Sequence, residues 1–128
     1  MATGDRPDFG IETLLNLHGW SHEVGGGFWI SVKAVRVLPN EGRPHGISYS
    51  LTMHGAGGER VLGYDNAHRP DIGAGPARRS RRRGRGRDHR HLRGRVTWYD
   101  FETPVKLLED FWYDVQKILE EEGVPWTE

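Results

Sequence analysis

ISYSLTMH, residues 47–54, alternates without a break: Ile47, Tyr49, Leu51 and Met53 fall on one side of an extended chain, Ser48, Ser50, Thr52 and His54 on the other. Successive side chains of a strand point to opposite faces, so this period of two predicts a half-buried β-strand. Such a strand needs an apolar cover, and the C-terminal part of the chain supplies one. In TPVKLLEDFWYDVQKILEEEGVPW, residues 103–126, the period changes to that of a helix. Leu108, Phe111, Trp112, Val115, Ile118 and Leu119 make one stripe, with acids opposite. Thr103 suits the N-cap, Pro104 the first helical position and Gly123 the C′ position, and Pro125 blocks continuation. The stripe is expected to lie on the Ile47–Met53 face, where each fully buried large side chain stabilises by about 1.5–3 kcal/mol. Its aromatics read as core and not as rings for a cofactor.

Outward from this pair, GGG at 25–27 frees the chain before FWISVKAVRV, residues 28–37, which is apolar on both faces and reads as a central strand. AGG at 56–58 turns ISYSLTMH into ERVLGYDN, residues 59–66, as a hairpin. RVTWYDF, residues 95–101, resumes strand character, and ETLLNLHGW, residues 12–20, suits a short helix or a turn. The expected architecture is α+β: one domain over 1–128, an antiparallel sheet of about four strands, and the long C-terminal helix on one face.

Between Ala67 and Arg87 the pattern disappears into Pro, Gly and Arg, and a loop of this length is either functional or disordered. Apolar residues make up only 35% of the chain, and the shortfall is concentrated there, so it does not argue that the whole chain is disordered. The net charge of zero hides an asymmetry. Arg78 to Arg95 holds ten arginines against the single acid Asp88, +9; the remainder holds eight bases against seventeen acids, −9. Positive potential gathered on one loop attracts polyanions, whereas neutralisation within the fold is the plainer reading. The absence of cysteine excludes disulfides and thiolate metal sites and fits a reducing compartment. MATGDRPDFG has acids and no apolar h-region, and no run is long enough to cross a bilayer, so a cytoplasmic protein is expected.

Two polar clusters carry the candidate chemistry: YDNAH, residues 64–68, at the end of a strand, and DHRH, residues 88–91, just before the next. Strand ends share a rim, so the fold can bring His68, Asp88, His89 and His91 together beside arginines. Metal-free cleavage of RNA needs one group to take the 2′-hydroxyl proton and another to protonate the leaving 5′-oxygen. Histidine suits both, because an ordinary pKa near ~6.5 leaves both forms available. A carboxylate can fix an imidazole tautomer, and arginine can stabilise charge on phosphorus oxygens. The catalytic set expected on these grounds is His68, Asp88, His89 and His91, with Asn66, Arg90, Arg93 and Arg95 as substrate contacts. No metal or other cofactor is assigned, although the imidazoles and Asp88 have donor types that also suit zinc or manganese. Asp65 and Asn66 can equally close a turn through side-chain bonds to backbone. His18, His22, His45 and His54 are scattered and receive no role.

YDNAH followed by DHRH, then the aromatic strand VTWYDF and the helix LLEDFWYDVQKIL, resembles the TumE-type toxins of bacterial toxin–antitoxin pairs. The likeness runs from about Phe28 to Gly123. By motif position Asp65, Asn66 and His68 match its first block, and Asp88, His89 and His91 its second. The resemblance implies a small α+β toxin, inactivated by a helix-turn-helix antitoxin, with RNA as the expected target; a homodimer is compatible. The arginine tract departs from the mixed loop that joins these blocks in similar proteins. Two other functions compete: a non-catalytic module whose basic loop engages nucleic acid or an acidic partner, and a subunit that docks through its Trp/Phe-rich helix.

Overall fold

The structure, a computed structural model, describes residues 10–67 and 87–125. Helix α1 is Ile11–Asn16; six strands follow, β1 Ser21–Gly25, β2 Phe28–Arg36, β3 Ile47–His54, β4 Arg60–Asp65, β5 His89–Leu92 and β6 Arg95–Trp98; helix α2 is Pro104–Glu121. The strands form one antiparallel sheet in the order β1-β2-β3-β4-β5-β6, so each pairs with its neighbour in sequence.

The sheet has six strands where about four are expected from sequence. One extra strand is SHEVG, five residues without apolar alternation, which pairs on β2 across the glycine turn. Gly27 has φ +82 in that turn, and a Cβ there would come within 2.8 Å of Ala56 Cβ, so glycine is required. The other is HRHL, which reads as a polar cluster ahead of a strand but is itself a strand, folded back onto β6 through Arg93-Gly94. Both residues of that two-residue turn have positive φ, 47 and 86, as a type I′ hairpin demands.

Ile47, Tyr49, Leu51 and Met53 are each 1% exposed or less, alternating with half-buried Ser48, Ser50, Thr52 and His54. The buried set joins Ile30, Val32 and Ala34 of β2, Leu62 and Tyr64 of β4, and Leu107, Phe111, Val115, Ile118 and Leu119 of α2 in one core. Thr103 caps α2, its hydroxyl accepting from Lys106 N–H at 3.0 Å, and Pro104 opens the first turn. Helix α1 packs against α2 and β2 and α2 against β4, so both helices lie on the same face. The other face of the sheet carries no described helix. Among the described residues, no helix is long and apolar enough to cross a membrane.

Candidate active site

Asp88 marks the junction between the core and the start of β5. Its carboxylate is buried and Oδ2 accepts from Tyr49 Oη at 2.7 Å and from His45 Nε2 at 3.2 Å. Asn66 Nδ2 reaches the same oxygen at 3.5 Å and donates to Ile47 O at 2.8 Å. Asn66 Oδ1 in turn accepts from Tyr49 N–H at 2.9 Å, so this side chain, with no exposed surface, ties β3 to the end of β4. His45 Nδ1 accepts from Ile47 N–H, leaving the proton on the nitrogen that faces Asp88, and its ring lies 4.0 Å from that of Phe101. Burial, and then the Asp88 charge, push the Tyr49 hydroxyl well above its ordinary range, so it stays a donor. The arrangement is a satisfied polar clamp that fixes where the chain enters β5.

The pleat sends the next residue the other way. Arg90 and Leu92 face α2, Arg90 pairing with Asp114 at 3.0 Å, so His89 and His91 project from the face that carries no described helix. Their rings stand 4.9 Å apart at 72°. His89 Nδ1 lies 2.8 Å from Arg87 O; a carbonyl only accepts, so Nδ1 carries the proton and Nε2 the lone pair. His91 has the opposite tautomer. Its Nδ1 accepts from Arg60 Nη2 at 3.0 Å, which leaves the N–H on Nε2. Burial, then the Arg60 guanidinium and the adjacent His89, hold the His91 pKa down to about 4, so the ring is neutral at physiological pH.

Gly63 lies beside this contact. It pairs with His91 across β4 and β5, and a Cβ there would meet Arg60 Cδ at 3.4 Å and His91 Cδ2 at 3.7 Å, ordinary van der Waals distances. Asp65, cross-strand partner of His89, is buried, and its Oδ1 accepts from Ala67 N–H. That bond is the turn-closing role its type and position allow.

The expected residues thus fall in different places. His89 and His91 stand together. Asp88 and Asn66 lie on the helix side, in the clamp. Arg90 is held by Asp114; Arg93, in the β5–β6 turn, reaches Glu121 at 3.2 Å and Glu122 at 3.4 Å; Arg95 is exposed on the edge strand β6. His68 and nearly all of the 69–87 loop lie outside the described residues. Arg60, His45 and Tyr49 are absent from the expected set. Arg60 had one legible signal, an arginine opening a strand whose middle residue is glycine; His45 had none. Among the described residues no three His, Asp or Glu side chains are grouped to hold a metal, as follows from the sheet lying between Asp88 and the two imidazoles.

No curated protein and no solved structure matches this chain. The family described as Toxin TumE matches residues 27–119, from the start of β2 almost to the end of α2, and so takes in every described residue of the clamp and of the imidazole pair. The chain belongs to the TumE toxin family, and membership makes it the toxin of a toxin–antitoxin system, with a cognate antitoxin as its implied partner.

Proposed function

We propose that this toxin cleaves RNA at the His89–His91 pair without a metal. One observation carries the reading: two adjacent imidazoles are locked in opposite tautomers, one offering a lone pair and the other an N–H, with a guanidinium against the second. His89 Nε2 takes the 2′-hydroxyl proton as O2′ bonds to phosphorus. Neutral His91, through Nε2–H, and Arg60 donate to the non-bridging oxygens, where negative charge grows. The P–O5′ bond breaks, leaving a 2′,3′-cyclic phosphate on one fragment. The proton for the departing 5′-oxygen is assigned to His68 on sequence grounds alone. Asp88 and Asn66 act as positioning residues through the clamp, and Arg95 can take a phosphate further along a longer RNA.

The protein acts in the cytoplasm, where a helix-turn-helix antitoxin neutralises it by covering this face; a homodimer would leave the reading unchanged. Purified protein should cut bulk tRNA and mRNA into fragments ending in 2′,3′-cyclic phosphate, with or without divalent cations. His89→Ala should abolish cutting and keep a wild-type circular dichroism spectrum. RNA that stays intact under all of these conditions sinks the reading. One observation favours a second reading, a non-catalytic module: His89 is only 2% exposed. That reading expects RNA affinity that drops steeply with salt and is indifferent to His89→Ala.

A further inference from the structure

The face of the sheet away from the helices carries more than the imidazole pair. Trp29 and His54, paired across β2 and β3, stack with ring centroids 4.2 Å apart and planes at 11°. The His54 ring is fixed at both nitrogens, Nδ1–H donating to Gly58 O at 3.2 Å and Nε2 accepting from Thr52 Oγ1 at 3.1 Å. His54 pairs in turn with Arg60 across β3 and β4, and Arg60 touches His91. Trp29, His54, Arg60 and His91 therefore form a continuous belt over four adjacent strands, three spacings of about 4.8 Å or roughly 14 Å. Exposed Lys33 and half-buried Ser31, Ser50 and Thr52 lie alongside. The acids of this face are occupied: Glu23, opposite Trp29, accepts from Gly27 N–H at 3.1 Å, and Asp65 is buried with its turn bond.

We infer that this belt is a binding platform for single-stranded RNA, a base stacking on the Trp29–His54 pair and the adjoining phosphate lying on Arg60 and His91. The inference rests on the RNA-directed reading above and names the form of RNA that the site takes. Flat π faces beside a guanidinium suit unpaired bases and a phosphate backbone, because every base has a face to stack and a duplex has already used its own. Arg60 and Lys33, both exposed here, offer cations to a phosphate backbone.

The test separates binding from cutting. A fluorescein-labelled single-stranded oligodeoxynucleotide lacks the 2′-hydroxyl and cannot be cleaved by the proposed route. Its anisotropy should give a Kd that rises roughly 5-fold to 100-fold in Trp29→Ala, the loss of one stacked base. Arg60→Gln, a change at an exposed side chain, should weaken binding as well and steepen no salt dependence. Trp29→Phe should restore most of the affinity, Tyr113→Ala on the helix side should leave it unchanged, and the matching duplex should bind more weakly. Unchanged Kd in both Trp29→Ala and Arg60→Gln, or equal affinity for duplex and single strand, overturns the platform. Wild-type protein that binds the oligonucleotide yet cuts no RNA defeats the cleavage reading alone. Cutting of RNA that is indifferent to Trp29→Ala defeats the platform alone.

Discussion

Asp88 and His89 are consecutive in the chain and face opposite sides of the sheet: the carboxylate accepts from Tyr49 in the core, while the imidazole stands beside His91 on the far face. The carboxylate therefore does not fix either tautomer. Arg87 O does that for His89, and Arg60 does it for His91. Asp88 serves instead to hold the first residue of β5 in register.

That division of labour gives a stability prediction for Tyr49. Tyr49→Phe removes the 2.7 Å donor from a buried carboxylate and adds nothing in its place. Hydrogen bonds to charged groups contribute about 1.5–3 kcal/mol, so urea unfolding should show a loss of that order. An unchanged midpoint would mean that His45 and Asn66 satisfy Asp88 without help.

His91 predicts a pH dependence with a definite sign. Its folded pKa is lowered to about 4, so as pH falls below the ordinary ~6.5 the unfolded chain takes up a proton that the folded ring refuses. The stability contributed by the neutral ring is present above about 6.5 and is lost as pH drops toward 4. The loss is softened by solvent, because the side chain is half-buried. Melting temperature should thus decline more steeply over pH 6.5 to 4 in the wild type than in His91→Gln. Parallel curves would show that the ring does not titrate abnormally.

Arg90 and Arg60 should separate cleanly by assay. Arg90 bridges to Asp114, which also accepts from Tyr64 Oη, and its guanidinium lies 6.0 Å from the Tyr64 ring centre. Arg90→Met should lower stability by about 1–3 kcal/mol, below the range for fully buried pairs, and leave oligonucleotide affinity near wild type. Arg60→Gln should do the reverse. A loss of affinity in Arg90→Met with unchanged unfolding would move the phosphate contact to the helix side.

Thr103 tests the start of α2. Its hydroxyl accepts from Lys106 N–H, so Thr103→Ala should cost about 1 kcal/mol in thermal or urea unfolding, and Thr103→Ser much less. Equal effects from both changes would locate the contribution in the methyl group.

Elements with an unambiguous period were legible in the sequence. β3 alternates perfectly and α2 carries its own start and stop signals, and both lie where those patterns put them. β5 was not legible, because HRHL has apolar character at one end only: Arg90 pairs with Asp114 on the face that carries the helices, and its two histidines occupy the other. Closeness in sequence suggests that Asp88 belongs with His89, and the pleat alone parts them. Asn66 could be read as a turn residue or a substrate contact, and only the fold shows its side chain spanning to β3. Arg60 is not legible as a site residue because its partner is thirty-one positions away in the chain.

The nearest-neighbour order of the strands has an evolutionary consequence. β4 and β5 are adjacent, so the connection from Asp65 to His89 only has to return to where it started. Closing a chain between fixed ends grows logarithmically in free energy, about 0.6 kcal/mol for each doubling of length. Insertions and deletions between Ala67 and Arg87 therefore cost little in chain closure, so long as Asn66 and Asp88 keep the clamp. The length of that connection is free to change while β4 stays paired with β5.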